Sequence, residues 1–300
     1  MVINGQNLSL LTQAVMATFM AGLGASQAAA ADWKLIAMEV PSGTGENVYP
    51  YLKTLGGIRK WVGDRVIQNM DQGDFRIKNE PYEETHGIPR DAVEDDQYGL
   101  YMKLYEQMAR NVATFPSEKL YAYLKSGFTT LGPDGQYFFD VDHPVGEPGK
   151  EVSVSNFMGG SGEPWFILDA SQVLKPMVWQ PRRAFDLVTL FNPTDPNVFF
   201  KKEFIFGVDG RAGFGFTPFW QMLFASKQTL DATNLRAALT AMSSQKDNNG
   251  KPLAVKGTHL ICGPQLAEVA RDLMSKEYLA NGESNTLRNR LQVVDTAWLL

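Results

Sequence analysis

The chain has 300 residues, 44% of them hydrophobic and 20% charged, which is ordinary for a globular protein with a real core and unlike a disordered chain. A formal net charge of −5 and a pI near 5.3 argue against a protein whose main task is gripping nucleic acid, since that needs a clustered basic surface. The single cysteine, Cys262, excludes an intrachain disulfide, and its place in the apolar run HLICG marks it as core filler.

Along the chain, Leu8, Leu11, Val15, Phe19 and Leu23 fall on one helical face after Asn7, a good N-cap. No Lys or Arg precedes Lys34, so the charged start of a secretory signal is missing and the pattern predicts a packing arm. No segment approaches the ~18 apolar residues of a membrane span. WKLIAMEV is a short apolar run, broken by PSGTGENVYP. From Tyr51 to Arg90 the chain turns polar and extended, and the arms on either side of the turn DQGD predict a hairpin in which Phe75 and Ile77 alternate with Arg76 and Lys78. One arm carries Lys53, Arg59, Lys60, Trp61, Asp64 and Arg65, the other Tyr82, Glu83, Glu84 and His86. A projecting ribbon of that composition has little core of its own and requires a partner.

Asp91 to Val112 reads as one amphipathic helix of about six turns. Val93, Leu100, Leu104, Met108 and Val112 share a face, while Asp91, Glu94, Asp95 and Asp96 crowd the first turn, where negative charge suits the helix dipole. Thr114, Pro116 and Ser117 then punctuate, and SEKLYAYLKSGF predicts a second, short helix closing near Gly127. Glycine and proline make the next segment loop-rich. Trp165 to Leu168, Leu174 to Gln180 and Phe199 to Val208 read as strands, the last with Phe204, Phe206 and Val208 on one face, and GVDGRAGFGFTPFWQMLFAS suggests a tightly twisted hairpin. Helices at Leu230 to Met242 and Pro264 to Met274, with strands at HLICG and LQVVDTAWLL, suit an α/β layer.

Catalytic signals are sparse. Asp140, Asp142 and His143 in FDVDHP could hold a metal or form a base pair, but an Asp-rich turn before Pro144 explains them as well. The three histidines, His86, His143 and His259, show no zinc-binding spacing, G-x-S-x-G is absent, and GVDGRAGFG lacks the Lys-Ser/Thr ending of a phosphate loop. Arg182 with Arg183, and Lys201 with Lys202, suit solvated strand ends or intersubunit ion pairs. No cofactor or metal is called for, and the chain does not read as an enzyme.

The order of YPYLKTLGGIRKWVGDR, FRIKNEPYEETHGIPRDAVEDDQYGLY, DGQYFFDVDHPV, WFILDASQVLKPMVWQPRR, FIFGVDGRAGFGFTPFWQ and GKPLAVKGTHLICGPQLAEVARDLM resembles the Mu-like phage major head subunit family, gpT, over nearly the whole length. The run from Ile88 to Tyr101 and GVDGRAGFG carry it most specifically. The resemblance implies the α+β phage major-capsid (Johnson) fold, with an N-terminal arm at 1–42, an E-loop hairpin at 43–90, and a P-domain spine helix with a following short helix at 91–127. A loop-rich connection at 128–164, a β-rich P-domain region at 165–228 and an α/β A-domain region at 229–300 complete it.

It also implies a virion protein, made in the host cytoplasm, that self-assembles into pentamers and hexamers of an icosahedral head. Its partners would be copies of itself, the scaffold or protease and portal proteins of the same phage, and weakly contacted double-stranded DNA, with no membrane. Arg59, Lys60, Trp61 and Arg65 on the E-loop, and Glu94, Asp95 and Asp96 on a neighbour's spine, are the expected intersubunit contacts. The alternatives are an encapsulin-like shell around protein cargo and a metal-dependent hydrolase using Asp140, Asp142 and His143.

Overall fold

Two kinds of strand sequence sort the chain into two main sheets. Alternation of buried and half-exposed residues, as in Glu203–Phe216, marks a sheet covered on one face, and the wholly apolar run Trp165–Leu168 lies at the centre of a sheet covered on both. The structure, a computed structural model, describes residues 5–52, 72–95, 99–146, 149–278 and 282–300.

The first sheet has four strands in the order β1 (Ala37–Glu39), β9 (Met177–Leu190), β10 (Glu203–Phe216) and β4 (Glu80–Pro89). β1 runs parallel to β9, and β10 lies antiparallel to both β9 and β4. Phe204, Phe206 and Val208 of β10 point inward, as their alternation predicts. They pack against Val15 and Phe19 of helix α1 (Gly5–Ala29) and Tyr105 and Met108 of helix α3 (Leu100–Ser126). The register places Ile205, Leu190 and Gly87, then Gly207, Val188 and Thr85, on the opposite face.

The second sheet has five strands in the order β13 (Gln292–Asp295), β12 (His259–Cys262), β8 (Trp165–Leu168), β11 (Leu223–Lys227) and β7 (Phe157–Gly160). Phe166, Leu168, Leu223 and Ile261 enter a core shared with Leu120 and Leu124 of α3 and Met177 of β9. Trp165, Ile167, Phe224 and Cys262 face the other way, under helices α5 (Ala232–Ser243) and α6 (Pro264–Ser275). Asp231 caps α5 by accepting the Asn234 N–H at 2.8 Å. Strand Trp165–Leu168 therefore pairs with β12 and β11, and Leu223–Lys227 with β8 and β7, and neither joins β9 or β10.

Five local expectations differ from what is observed. The strand predicted from Phe199 begins only at Glu203, because Phe199 and Phe200 lie in the short helix α4 (Pro196–Lys201). The predicted helix from Asp91 to Val112 is split: α2 covers only Arg90–Glu94, Asp95 follows it, and α3 starts after Gly99, whose φ of 65° suits glycine. The predicted break at Pro116 does not occur. Ala113, Ser117, Leu120, Tyr121 and Leu124 continue one buried face, and Ser117 Oγ donates to Ala30 O at 3.0 Å, so packing outweighs the loss of one helical N–H. GVDGRAGFGFTPFWQMLFAS is no hairpin: its first ten residues complete one 14-residue strand, with the irregular register absorbed near Asp209 and Arg211, and β11 at its end pairs with β7 and β8 instead. Finally, Gln72 to Asp74 of the predicted turn DQGD lie in strand β3 (Gln72–Lys78), which pairs with β2 (Glu46–Leu52), while β4 joins the four-stranded sheet; the predicted arm before DQGD lies outside the described residues.

Candidate assembly interface

The β2–β3 ribbon leaves the body at a crossing with β10. Ile77 is buried, and its side chain lies over Gly213 and Gly215, where added Cβ atoms would come within 2.9 and 3.1 Å of it. A Cβ at Gly213 would also stand 2.6 Å from the Lys78 carbonyl oxygen, so this glycine permits the close backbone approach. Gln180 Nε2 donates to Asn79 Oδ1 at 2.7 Å and to Ile77 O at 3.2 Å, and Tyr49 bonds to Gln180. Desolvation raises the Tyr49 pKa above its ordinary value. Beyond this anchor the arms are exposed at Val48, Asp74 and Arg76, and Tyr49 stacks on Phe75 at 5.0 Å. An open groove of about 600 Å³ follows the crossing, lined by Phe75, Tyr82, Tyr123 and Phe214 among others.

Of the expected contact residues, Arg59, Lys60, Trp61 and Arg65 lie outside the described residues, as does Asp96. Glu94 ends α2, and Asp95, exposed, donates its backbone N–H to Asp91 O at 3.0 Å. Asp91 and Glu94 therefore lie in α2 and Asp95 directly after it, instead of within one continuous helix to Val112. Glu84 and His86 do not project with the ribbon. Their strand positions face α3, where Asn111 Nδ2 donates to Glu84 at 3.1 Å, and His86 Nε2 lies 2.9 Å from the same carboxylate. Arg183 pairs with Asp209 and Arg182 reaches Ser42 O at 3.3 Å, whereas Lys201 and Lys202 are exposed.

Asp140, Asp142 and His143 do not converge on a metal site. Asp140 Oδ1 accepts the Val141 N–H at 2.7 Å, and Asp142 accepts from Ser153. His143, fully buried, stacks on Trp220 at 3.9 Å. Its Nδ1 lies 2.6 Å from Asp134 Oδ2 and its Nε2 3.1 Å from Asn156 Oδ1. The Asn156 amide is oriented by donating to Phe138 O and Leu223 O, so both imidazole nitrogens face acceptors and neither is directed at an open ligand position. This network ties the turn to β11. No group of three or more potential ligands is gathered elsewhere among the described residues. Cys262 is buried and desolvation pushes its thiol up to about 11, the opposite of an activated nucleophile.

Three-dimensional comparison places this frame among shell proteins. The chain aligns with a subunit of the procapsid of bacteriophage JBD30 with a TM-score of 0.84 and 33% identity, over 99% of this chain and 100% of that one. The JBD30 capsid gives 0.78 and 28%, over 90% and 91%. The fold is thus the α+β fold of phage major capsid proteins, a structural class and not an enzymatic one.

The major capsid protein of Escherichia phage Mu is 36% identical over the full length of both chains, and the Mu-like prophage FluMu major head subunit of Haemophilus influenzae is 36% identical over 82% of each. The family model for the Mu-like prophage major head subunit gpT matches residues 8–299, and the chain belongs to that family. The expected family and fold are borne out, and the hydrolase and encapsulin alternatives are set aside.

Proposed function

We propose that this head subunit assembles into pentamers and hexamers of a closed icosahedral shell around double-stranded DNA, through contacts between the E-loop of one copy and the spine of the next. The observation carrying this reading is the β2–β3 ribbon, anchored by Gly213, Gln180 and Ile77 but exposed along its outer arms. Such a ribbon gains stability by lying on a neighbour. Arg59, Lys60, Trp61 and Arg65 meet Glu94, Asp95 and Asp96 of the adjacent copy. Exposed pairs contribute on the order of 0–1 kcal/mol each, and symmetry multiplies them over the shell. The proposed domain roles follow: 1–42 as arm, 43–90 as the segment that includes the E-loop, 91–127 as spine helix, 128–164 as the loop-rich connection, 165–228 as the β-rich P-domain region, and 229–300 as the α/β A-domain region.

The acidic balance suits a wall that confines DNA without adhering to it. Scaffold or protease and portal proteins of the same phage act on the subunit in the host cytoplasm before it enters the virion.

Electron microscopy and light scattering on the purified chain, with and without a scaffold protein, test this reading. Shells or capsomer rings are expected, and a monomer persisting in both conditions would overturn it. Changing Arg59, Lys60 and Arg65 together to Glu should reduce assembly at unchanged subunit melting temperature. Assembly at the unmodified level would remove the ribbon-to-spine contact from the account.

A further inference from the structure

In the FDVDHP turn, His143 is fully buried at the start of strand β5 (His143–Val145), while Asp140 is half-buried and Asp142 exposed. The ribbon contact makes no use of this ring. Its protons are fixed by Asn156, which is fully buried as well. Asn156 Nδ2 donates to Phe138 O at 2.8 Å and to Leu223 O at 3.3 Å, and its Oδ1 accepts the Asp140 N–H at 3.0 Å. Exchanging the amide oxygen and nitrogen would set like against like in all three bonds, so the amide has one orientation. His143 Nε2, 3.1 Å from that Oδ1, is therefore a donor. Its Nδ1 lies 2.6 Å from Asp134 Oδ2, and an ionised carboxylate only accepts, so Nδ1 is a donor too. A neutral imidazole carries one N–H, and a ring that donates from both nitrogens is an imidazolium. Trp220 stacks on it at 3.9 Å and 12°, the face-on placement that attracts a cation.

Asp134 supplies the charge that faces the ring, and its other oxygen accepts the Gln136 N–H at 3.3 Å. The other elements packed on the ring contribute uncharged groups, the Asn156 amide before β7 and the Trp220 indole. The carboxylates of Asp140 and Asp142 are engaged by the Val141 N–H and the Ser153 hydroxyl. His143 thus ties Asp134 to Asn156, and through Asn156 to Leu223 of β11. The segment held this way exposes Leu131, Tyr137 and Val141, and its Leu131, Gly132 and Pro133 form one wall of the groove beside the ribbon crossing.

We propose that residues 131–145 are held by a proton-dependent clamp. Doubly protonated His143 joins Asp134 to Asn156, and loss of one ring proton frees the segment, groove wall included, while both main sheets stay folded. The clamp is a property of the single subunit, so it goes beyond the head-subunit reading without resting on it. The closed clamp holds a proton that a free imidazole releases above about pH 6.5. Its stability is therefore complete below that pH, falls as pH rises, and is spent once the clamped ring gives up its own proton. Over that interval one proton makes the open population grow about tenfold per pH unit.

Two measurements on the full chain test the clamp. With the histidine rings isotope-labelled, nitrogen NMR at neutral pH should show two N–H groups on His143, assigned by the signal that H143Q removes. A His143 nitrogen without a hydrogen would overturn the proposal. Hydrogen exchange, corrected for the intrinsic effect of pH, should show the amides of 131–145 opening about tenfold more for each pH unit above neutral, with Trp165–Leu168 unchanged. Opening that does not respond to pH, or that rises equally in Trp165–Leu168, would overturn it.

D134N keeps the shape of the Asp134 side chain but offers an amide that donates to Nδ1, so a neutral ring suffices there. The segment should stay closed in D134N with the pH slope gone. A slope retained in D134N would assign the proton to another group and overturn the clamp.

Discussion

The two main sheets of this subunit are made from different sequence grammars and have different surroundings. The five-stranded sheet is sandwiched, with Phe166 and Leu168 facing α3 and Trp165 and Ile167 facing α5 and α6, so every residue of β8 is buried. The four-stranded sheet has one covered face, and its other face exposes Val188 and Leu190 near α4. A sheet covered on both sides is complete within one chain. A sheet with an open apolar end is complete only in company. Individual stability should therefore concentrate in the first and association in the second.

The largest effect that could break this contrast is at the sandwiched sheet. Phe166→Ala removes a fully buried ring from the shared core and should cost about 3–5 kcal/mol in chemical unfolding of the subunit. A loss under about 1 kcal/mol would show that this sheet is not the stability centre.

Next comes Asp169, buried at the end of β8. Burial alone raises its pKa, but the Ser171 hydroxyl and N–H, the Lys256 N–H and the Gln172 amide outweigh it, and the carboxyl ends below its ordinary value. Asp169→Ala should cost about 1.5–3 kcal/mol. A carboxyl with a depressed folded pKa contributes stability above its unfolded pKa and loses it as pH falls through the folded one. Acid unfolding should therefore be less steep in the variant.

Gly213→Ala places a Cβ against the Lys78 carbonyl and should cost about 1–3 kcal/mol. Its distinctive readout is faster proteolysis of the ribbon at unchanged stability of the five-stranded sheet, followed by hydrogen exchange. The smallest effect belongs to the open face: Val188→Thr should change subunit stability by less than about 0.5 kcal/mol. A larger loss would mean that this face is packed within the subunit after all.

Much of the frame was legible because its periodicities are strong. The alternation of Phe204, Phe206 and Val208 places the covered face of β10, and Val15 and Phe19 mark the buried side of α1. What escaped local reading is tertiary. Pro116 reads as a stop, yet the buried stripe from Ala113 to Leu124 carries the helix through it. The glycines of GVDGRAGFG read as a turn, yet Gly213 and Gly215 permit a chain crossing that only the fold reveals.

The candidate site was legible by charge and composition more than by position. The acidic run near Asp95 was visible, but not that α2 ends at Glu94 and leaves Asp95 directly after it. Helix α4 was hidden because Phe199 and Phe200 adjoin an alternating run and read as part of the strand. Pro196 at the first helical position and the left-handed Lys202 turn them outward.

The pairing of β1 with β9 has a consequence for synthesis. Ala37 finds its partner Met177 only after about 140 further residues have been added. At ~5–20 residues per second a ribosome needs about 7–28 seconds to supply them. During that interval the early segments are in place without the strand that completes their sheet. Neighbouring nascent chains carry the same unfinished edge, so a crowded polysome favours strand exchange between chains. Timely release of each completed subunit is then as much a condition for uniform particles as any contact in the finished wall.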